Sequence, residues 1–585
     1  MSKRISIITV LLCISAVVCA FEPASSPFYE FAERIHHTVG LKSFSYTRPY
    51  SRQIIVDVLR EINEKRESLP YSDKGILDYY IEKYYHENAA TSLHKPFHLI
   101  DYIHENGTLT LDLVGRGGFL RGDFDKVTMQ ENDFMVYTSG ITFRGTLGNH
   151  WDYYCFFVDE TLNGFSPAYD QRMIVSYLDE DDNPVEEFIY PIEKFVENGG
   201  FGWVNYQSER KEMYFDQTRA YMTYSFPFGF IEFGKNTNSW GPGVQSHVMI
   251  SDNAAPYVQF KTHFTLGKFR LTSTTAQLRT NELDPNTKIE TEDGDVKFEY
   301  RKKYIASHRL EMSLSSKVMI ALTESVIYAD KNVQLGYAIP FNIFWSEQHY
   351  QGDRDNTAIG MEVSVTPINR VSVYGELFFD DISFQHLTDF RRTKAAYIAG
   401  IKWYPEWLPT SRIVCEYSRV NPIVYTHRFN VDNFTHAQSN IGSFLYPNSD
   451  YIHFSVSGAL TSRLSYRVYA DRVRHGLNYI DNDDHYRNVG GDMYRPDTLS
   501  NGHSIEQELA FLDGIVETEK KIGLNLTYRV DVRSLWRSIG LYDLFLDAGV
   551  EMQSFTRSYP SDAREKPVVD DNIMGLYFMV RYHYE

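Results

Sequence analysis

The sequence predicts an all-β transmembrane barrel of about 18 antiparallel strands, preceded by a small N-terminal three-helix bundle. Three observations predict it. Residues Gly575 to Glu585 alternate: Leu576, Phe578, Val580, Tyr582 and Tyr584 fall on one face of a strand, and Tyr577, Met579, Arg581 and His583 on the other. A strand of about ten residues with one apolar face and one polar face is the unit of a membrane-spanning barrel. Aromatic residues make up 15% of the 585, with 43 Tyr and 38 Phe, yet mean hydropathy is −0.37. Many rings in a polar chain fit aromatic girdles around a wet lumen, and they also fit a large soluble sandwich or propeller. Finally, the connections between alternating segments run short, long, short, long, the habit of bacterial barrels with tight turns at one end and loops at the other.

The chain opens with Met1-Ser2-Lys3-Arg4, an apolar stretch from Ile5 to Val18 and the small-residue end Val18-Cys19-Ala20. This predicts a secretory signal peptide over residues 1–20, cut before Phe21. Of 58 basic and 77 acidic residues, cleavage leaves 56 and 77, a balance of −21. Such a surface disfavours nucleic acid, whose phosphates require a basic face. No later apolar run is long enough for a transmembrane helix. Cys155 and Cys415 are too few for a disulfide framework. Each alternates with apolar neighbours (Trp151, Tyr153 and Phe157; Ile413 and Tyr417), the pattern of a small lipid-facing residue.

Residues 27–92 predict a helical bundle on the periplasmic side. Ser26 caps a first helix with Pro27 at its first position, Phe28, Phe31, Ile35 and Val39 form its apolar stripe, and Gly40 ends it. A second helix starts near Ser51 and buries Ile54, Ile55, Val58, Leu59 and Ile62; a third follows Ser72 with Ile76, Leu77, Tyr80, Ile81 and Tyr84. His36 and His37 diverge on the first helix, which makes them packing or surface residues rather than one metal site.

Residues 105–585 predict the barrel, with long extracellular loops. Leu310, Met312 and Leu314 share a face against Glu311 and Ser313; Met361, Val363 and Val365 oppose Glu362 and Ser364; Val371, Val373 and Leu377 oppose Ser372, Tyr374 and Glu376. Glu311, Glu362, Glu376, Lys402, Glu416 and Arg467 sit in strand middles, where a lipid-facing Arg or Lys costs about 2–4 kcal/mol. The opposite phase places them in a wet lumen. Short turns fall at 315–317, 367–370, 405–410 and 461–462; long polar segments fall at 329–355, 381–392, 421–450 and 474–513, where residues 505–512 predict a short helix.

A series of motifs runs through these segments: Trp240-Gly241-Pro242-Gly243, Ser251-Asp252-Asn253-Ala254-Ala255-Pro256, Arg301-Lys302-Lys303-Tyr304-Ile305-Ala306-Ser307-His308-Arg309-Leu310, Tyr374-Gly375-Glu376, Glu416-Tyr417-Ser418-Arg419-Val420-Asn421-Pro422, Asn433-Phe434-Thr435-His436 and Arg474-His475-Gly476, with Arg48-Pro49-Tyr50-Ser51-Arg52 in the helical head. In this order the chain resembles the capsule assembly Wzi family of outer-membrane barrels. The resemblance implies an 18-stranded barrel with a periplasmic helical bundle and a lectin-like role, holding capsular polysaccharide at the outer surface. The acidic stretch from Leu178 to Glu187 departs from that pattern; it would suit a neutral or cationic glycan or metal-bridged lipopolysaccharide, and reads first as a solvated surface loop.

No nucleophile elbow, zinc-protease helix or P-loop is present, and no cofactor fingerprint is found. His427, His436 and His453 match no standard metal spacing, and Glu292-Asp293-Gly294-Asp295 lacks the ordered ligands of a calcium loop. The leading expectation is therefore a non-enzymatic binding protein at the cell outer membrane, in contact with surface polysaccharide, lipid and lipopolysaccharide, of undetermined oligomeric state. Trp345, Tyr350, Tyr425 and Phe434 are candidates for stacking on sugar rings, with His427, His436, Glu347, Gln348 and Asn433 for hydrogen bonds. A girdle or loop-packing role is the plain alternative for each ring. A channel for small solutes, or a hydrolase with paired carboxylates, are the other readings.

Overall fold

The computed structural model describes residues 24–582 apart from 85–98, 126–129, 149, 165–172, 179–183, 190–204, 208–211, 281, 291, 293–295, 381–393, 438, 495–508, 531–543, 565 and 567–569. The signal-peptide segment, the end of the helical region at 85–92 and the last three residues of the C-terminal strand lie outside the described residues.

Eighteen long strands close one antiparallel barrel: β1 Gly107–Asp125, β2 Gln130–Leu147, β3 Trp151–Asn163, β4 Glu212–Phe226, β5 Gly229–Asn236, β6 Tyr257–Leu266, β7 Phe269–Leu278, β8 Lys303–Ser315, β9 Val318–Ala329, β10 Asn356–Ile368, β11 Val371–Asp380, β12 Ala395–Trp403, β13 Ser411–Val420, β14 Ser449–Ala459, β15 Leu464–Leu477, β16 Ile515–Val530, β17 Leu544–Ser558 and β18 Asp570–Tyr582. Each pairs with its sequence neighbour, and β18 closes on β1, with Tyr582 opposite Gly115 and Leu576 opposite Arg121. Two short strands, Ile100–His104 and Asn205–Gln207, extend β1 and β4. The strand number and the antiparallel closure agree with the prediction.

Alternation sorts the side chains as the sequence phase requires. On β11, Ser372, Tyr374, Glu376, Phe378 and Asp380 are buried inside, while Val373 and Leu377 face outward. Glu311, Glu362, Lys402 and Glu416 are buried in the same inward sense. Leu310, Leu322, Met361, Leu576 and Phe578 form part of the apolar outer face. Cys155 and Cys415 are free thiols on that outer phase.

The two ends differ. One carries the tight turns, such as 267–268, 316–317 and 369–370; the other carries the long connections 279–302, 330–355, 421–448 and 478–514. Leu178 and 184–187 of the acidic stretch belong to a hairpin of Met173–Leu178 with Pro184–Ile189, and residues 179–183 lie outside the described residues. Residues 505–508 of the predicted loop helix are likewise outside, and 509–512 are irregular with a turn at 511–512.

The helical head consists of α1 Pro27–Val39, α2 Arg52–Glu64 and α3 Tyr71–Tyr84. Ser26 caps α1, its Oγ accepting the Phe28 N–H at 3.1 Å, and Gly40 ends it at φ 72°. α3 begins one residue before Ser72. Phe28, Ile35, Ile55, Val58, Leu59, Ile62 and Leu77 make one core, which Met319 of β9 joins from the barrel. Arg34 pairs twice with Asp73 at 2.7 Å, tying α1 to α3. The head sits at the tight-turn end, where Arg370 donates its N–H to the His37 carbonyl at 3.1 Å.

Candidate functional site

The connection between β5 and β6, residues 237–256, enters the barrel rather than looping away from it. It carries the Trp-Gly-Pro-Gly motif and presents backbone N–H groups to two inward carboxylates. Glu376 of β11 accepts the N–H of Gly243 at 2.7 Å and of Val248 at 3.1 Å, and its Oε1 lies 2.9 Å from His247 Nδ1. Glu416 of β13 accepts the N–H of Val244 at 2.8 Å and the Tyr374 hydroxyl at 2.8 Å. Lys402 of β12 donates to the Pro242 carbonyl at 2.5 Å. Charged residues that look costly in strand middles thus serve as acceptors and donors for a buried loop, which is how a polar backbone segment can be satisfied inside a barrel.

The helical head reaches the same place. Thr47 and Arg48 pair with Trp240 and Ser239 in a two-residue ladder, and Gly241 donates its N–H to the Tyr46 carbonyl at 3.1 Å. Arg309 of β8 bridges Glu311 and Glu362, at 2.6 and 2.5 Å, beside Thr47. Glu33 of α1 pairs with Lys402 at 2.5 Å and Arg412 at 3.4 Å. These opposite charges hold the Glu33 carboxyl well below the usual carboxylate range despite its burial, which by itself would raise it.

From the other end, the β13–β14 connection folds down on the plug. Tyr425 donates its hydroxyl to the Val248 carbonyl at 2.7 Å, and Ser251 Oγ donates to the Gly442 carbonyl at 2.7 Å. Tyr425 and Phe434 are fully buried against Phe378, with Trp240, Val248, Met249 and Ile250 in the same core. His436 is buried beside Tyr257, and its Nδ1 accepts the Arg279 N–H at 3.0 Å. Burial and neighbouring cations push its ring down to about 3.

The structure therefore separates the residues singled out by sequence. Trp240, Gly241, Pro242, Gly243, Glu376 and Glu416 meet in one network, with Arg309 in the adjoining one. Of the sugar-stacking candidates, Tyr425 and Phe434 offer no face to a ligand, because their rings fill the core that locks the plug. Asn433, likewise buried, accepts the His427 N–H at 2.7 Å. Trp345 and Tyr350 are exposed but belong to a helix, α4 Phe344–Tyr350, on the β9–β10 connection. There Glu347 is engaged by Asn342 and Gln351, and Gln348 by Thr357. His308 faces outward, 3.1 Å from Glu324. His475 stacks on Tyr446 and meets the Gly491 carbonyl at 2.9 Å.

His427, His436 and His453 have separate partners: Asp432 at 3.9 Å, Arg279, and Asp471 at 2.6 Å. Among the described residues, Asp481, Asp483 and His485 bring ligand-type atoms within 4.8 Å of one another, but Arg487 already pairs with Asp481 at 2.7 Å.

Sequence reading missed a cluster at the loop end. Phe429 is partly exposed, with the Arg354 and Arg428 guanidinium groups 5.1 and 5.3 Å from its ring centroid. Arg428 also donates to the Asp353 carbonyl at 2.8 Å, joining two loops. Beneath lies Asp432, buried without a hydrogen bond to either carboxylate oxygen. Its local signal, a basic-aromatic-acidic run at 428–432, is too common to single out.

A family model, capsule assembly protein Wzi, matches residues 179–541, more than half of the chain and including every plug contact on β11, β12 and β13. The chain belongs to the Wzi family. A solved Wzi from Escherichia coli, described as an outer-membrane protein involved in group 1 capsule assembly and a carbohydrate-binding β-barrel, superposes with a TM-score of 0.52. It is 12% identical, and the match covers 97% of this chain and 100% of that one. Acinetobacter baumannii OccAB2 follows at a TM-score of 0.40 and 10% identity, over 81% of this chain and 97% of the other. No curated protein sequence matches. The chain is thus an outer-membrane β-barrel of the Wzi family, with the barrel and helical head expected from the resemblance.

Proposed function

We propose that this barrel is a lectin-like, non-enzymatic protein that holds or organises capsular or other exopolysaccharide at the cell surface, with its long loops outward and its helical head in the periplasm. The observation that carries the reading is the plug. Residues 237–256 are tied to Glu376, Glu416 and Lys402 within the lumen, so the barrel is built to carry a surface rather than an open pore. The Wzi relative's description as a carbohydrate binder supports the ligand class. The contact surface we assign is the Phe429 lip with His427, Arg428 and Arg354, where a partly exposed ring and the guanidinium donors beside it stand together at the loop end.

Deleting the protein should release polysaccharide into the medium without lowering its total amount. Phe429→Ala and Arg428→Ala should each weaken binding of the isolated polysaccharide to the purified barrel by about tenfold, the effect of roughly 1.4 kcal/mol. Unchanged cell-associated polysaccharide in the deletion strain would sink the reading. A channel is the second reading. It draws on the partly exposed inward charges Lys521, Glu551 and Arg581 along β16–β18. Steady conductance of the unaltered protein in planar bilayers would favour it.

A further inference from the structure

The β9–β10 connection does not stand above the barrel. It folds back along the outer wall. On β8 and β9, Leu310 and Leu322 face outward, and by the same alternation so do Ala306, His308, Glu324, Val326 and Tyr328. Against these outward residues pack Tyr337 and Phe344 of the connection, and both are fully buried there. The Phe344 ring lies 4.3 Å from the His308 ring. Glu324 accepts the N–H groups of Phe344 and Trp345 at 3.0 and 2.8 Å, and Gln348 accepts the Thr357 hydroxyl at 2.7 Å. A carboxylate in the middle of an outward face would otherwise meet hydrocarbon. Here His308 and the start of α4 satisfy it and cover it.

The outer side of this cover has an unusual make-up. Between Asn332 and Ser346 eight residues are exposed, and six of them are apolar: Val333, Leu335, Ile339, Phe341, Ile343 and Trp345. None is charged. Leu335 is 80% exposed and Phe341 74%. The charges are held at the ends of the connection, where Asp330 pairs with Arg301 and Arg354, and Lys331 with Asp355. The backbone between is braced: Asn342 donates to the Gly336 carbonyl at 2.9 Å and to Glu347 at 3.1 Å, and Tyr337 donates to Asp355 at 2.7 Å. The apolar side chains are therefore presented, not merely left over. An exposed apolar patch this dense marks a surface with a partner. This one is continuous with the lipid-facing wall at Leu310, Leu322 and Met361, which identifies the partner.

We propose that residues 333–345 form a lipid-embedded clasp, binding the acyl chains of the membrane leaflet at the long-loop end. Trp345 then lies at the level of the lipid, not in a sugar site. The clasp shields the polar His308–Glu324 pair from hydrocarbon and fixes how deeply the barrel's loop end sits in the membrane.

The test uses the whole protein in phosphatidylcholine nanodiscs. A nitroxide is placed at Phe341→Cys, with the native cysteines replaced by serine. Collision with oxygen, which concentrates in lipid, is compared with collision with a water-soluble nickel chelate. The ratio at position 341 should match a Leu322→Cys label on the barrel wall and exceed a Tyr486→Cys label on an exposed loop several-fold. A ratio equal to that at 486 overturns the proposal, as does dipolar broadening between labels, which would mean that a second copy covers the face. Each labelled protein is first checked for the heat-modifiable gel migration of a folded barrel. A second measurement needs no cysteine. The emission lost on Trp345→Phe should itself be quenched by brominated acyl chains, to the same degree as that of the outward Trp151 and Trp403 that remains, and unquenched emission from Trp345 also overturns the proposal. Neither readout depends on polysaccharide, so the clasp and the lectin reading stand or fall separately.

Discussion

Glu376 accepts the backbone N–H of Gly243 at 2.7 Å, joining two residues 133 positions apart in the chain. The same carboxylate holds Val248 and His247, so one inward side chain organises the turn of the plug. Glu376→Ala would leave these buried donors without a partner, a cost on the order of 2–4 kcal/mol. The expected outcome is a lower guanidinium midpoint in detergent, with new conductance in planar bilayers as the plug loosens. Unchanged conductance and midpoint would show that the plug is held elsewhere.

Gly241 supplies a second prediction. Its φ is 137°, and a Cβ there would lie 2.3 Å from Glu376 Oε1 and 2.7 Å from His247 Nδ1. Gly241→Ala should therefore displace the plug from its acceptor, through both backbone strain and the close approach. Chymotrypsin should then cut within 237–256, at Trp240, in folded protein that is otherwise resistant.

The Glu33–Lys402 pair joins the helical head to the lumen, and both partners are almost fully buried. Breaking it from one side leaves an uncompensated charge, at about 3–5 kcal/mol. Glu33→Gln and Lys402→Met should each destabilise head docking strongly, and the double variant by less than the sum. Additive losses in that cycle would mean that Arg412 and the Pro242 carbonyl carry the contact instead.

Asp432 sets a pH dependence at the loop end. Burial pushes its carboxyl up to about 7, against the pull of Lys303 and Arg354. A raised folded value means that the folded state keeps its proton where the unfolded chain has lost it. The stabilisation is therefore full below the ordinary value near 4 and is lost as pH rises through about 7. The thermal midpoint should fall across that window, and Asp432→Asn should flatten the fall. An equally steep profile in the variant would place the titrating group elsewhere.

His36 has the opposite slope. Burial against Phe44 lowers its ring to about 4, so the folded state refuses a proton that the unfolded chain accepts from about 6.5 downward. Stability of the head is present above that value and is lost as pH falls toward 4. Hydrogen exchange in α1 should accelerate over this range, and His36→Gln should remove the acceleration.

The strand number, the inward phase of Glu311, Glu362, Glu376, Lys402 and Glu416, and the three helices were legible because each follows from local periodicity. A strand repeats every two residues and a helix every 3.6, and one face of each must leave water. The tight-turn and long-loop ends followed from connection lengths alone. The family was legible through motifs whose purpose the sequence did not disclose. What Trp240, Gly241, Pro242 and Gly243 do became visible only when β11, β12 and β13 brought carboxylates and an ammonium to them across more than a hundred residues.

The sugar-stacking candidates mark the limit most clearly. Tyr425, Phe434 and Trp345 are alike in sequence, each an aromatic in a polar loop. Tertiary structure sends the first two into the core that locks the plug and the third onto the outer wall above Glu324. A ring's value lies in what covers its face, and coverage is set by contacts between distant segments, to which local pattern is blind. The sequence by itself determined a membrane barrel with a helical head and a charged interior. Only the packing of two loops and the head into that interior decided which segments plug it, and which aromatics remain exposed.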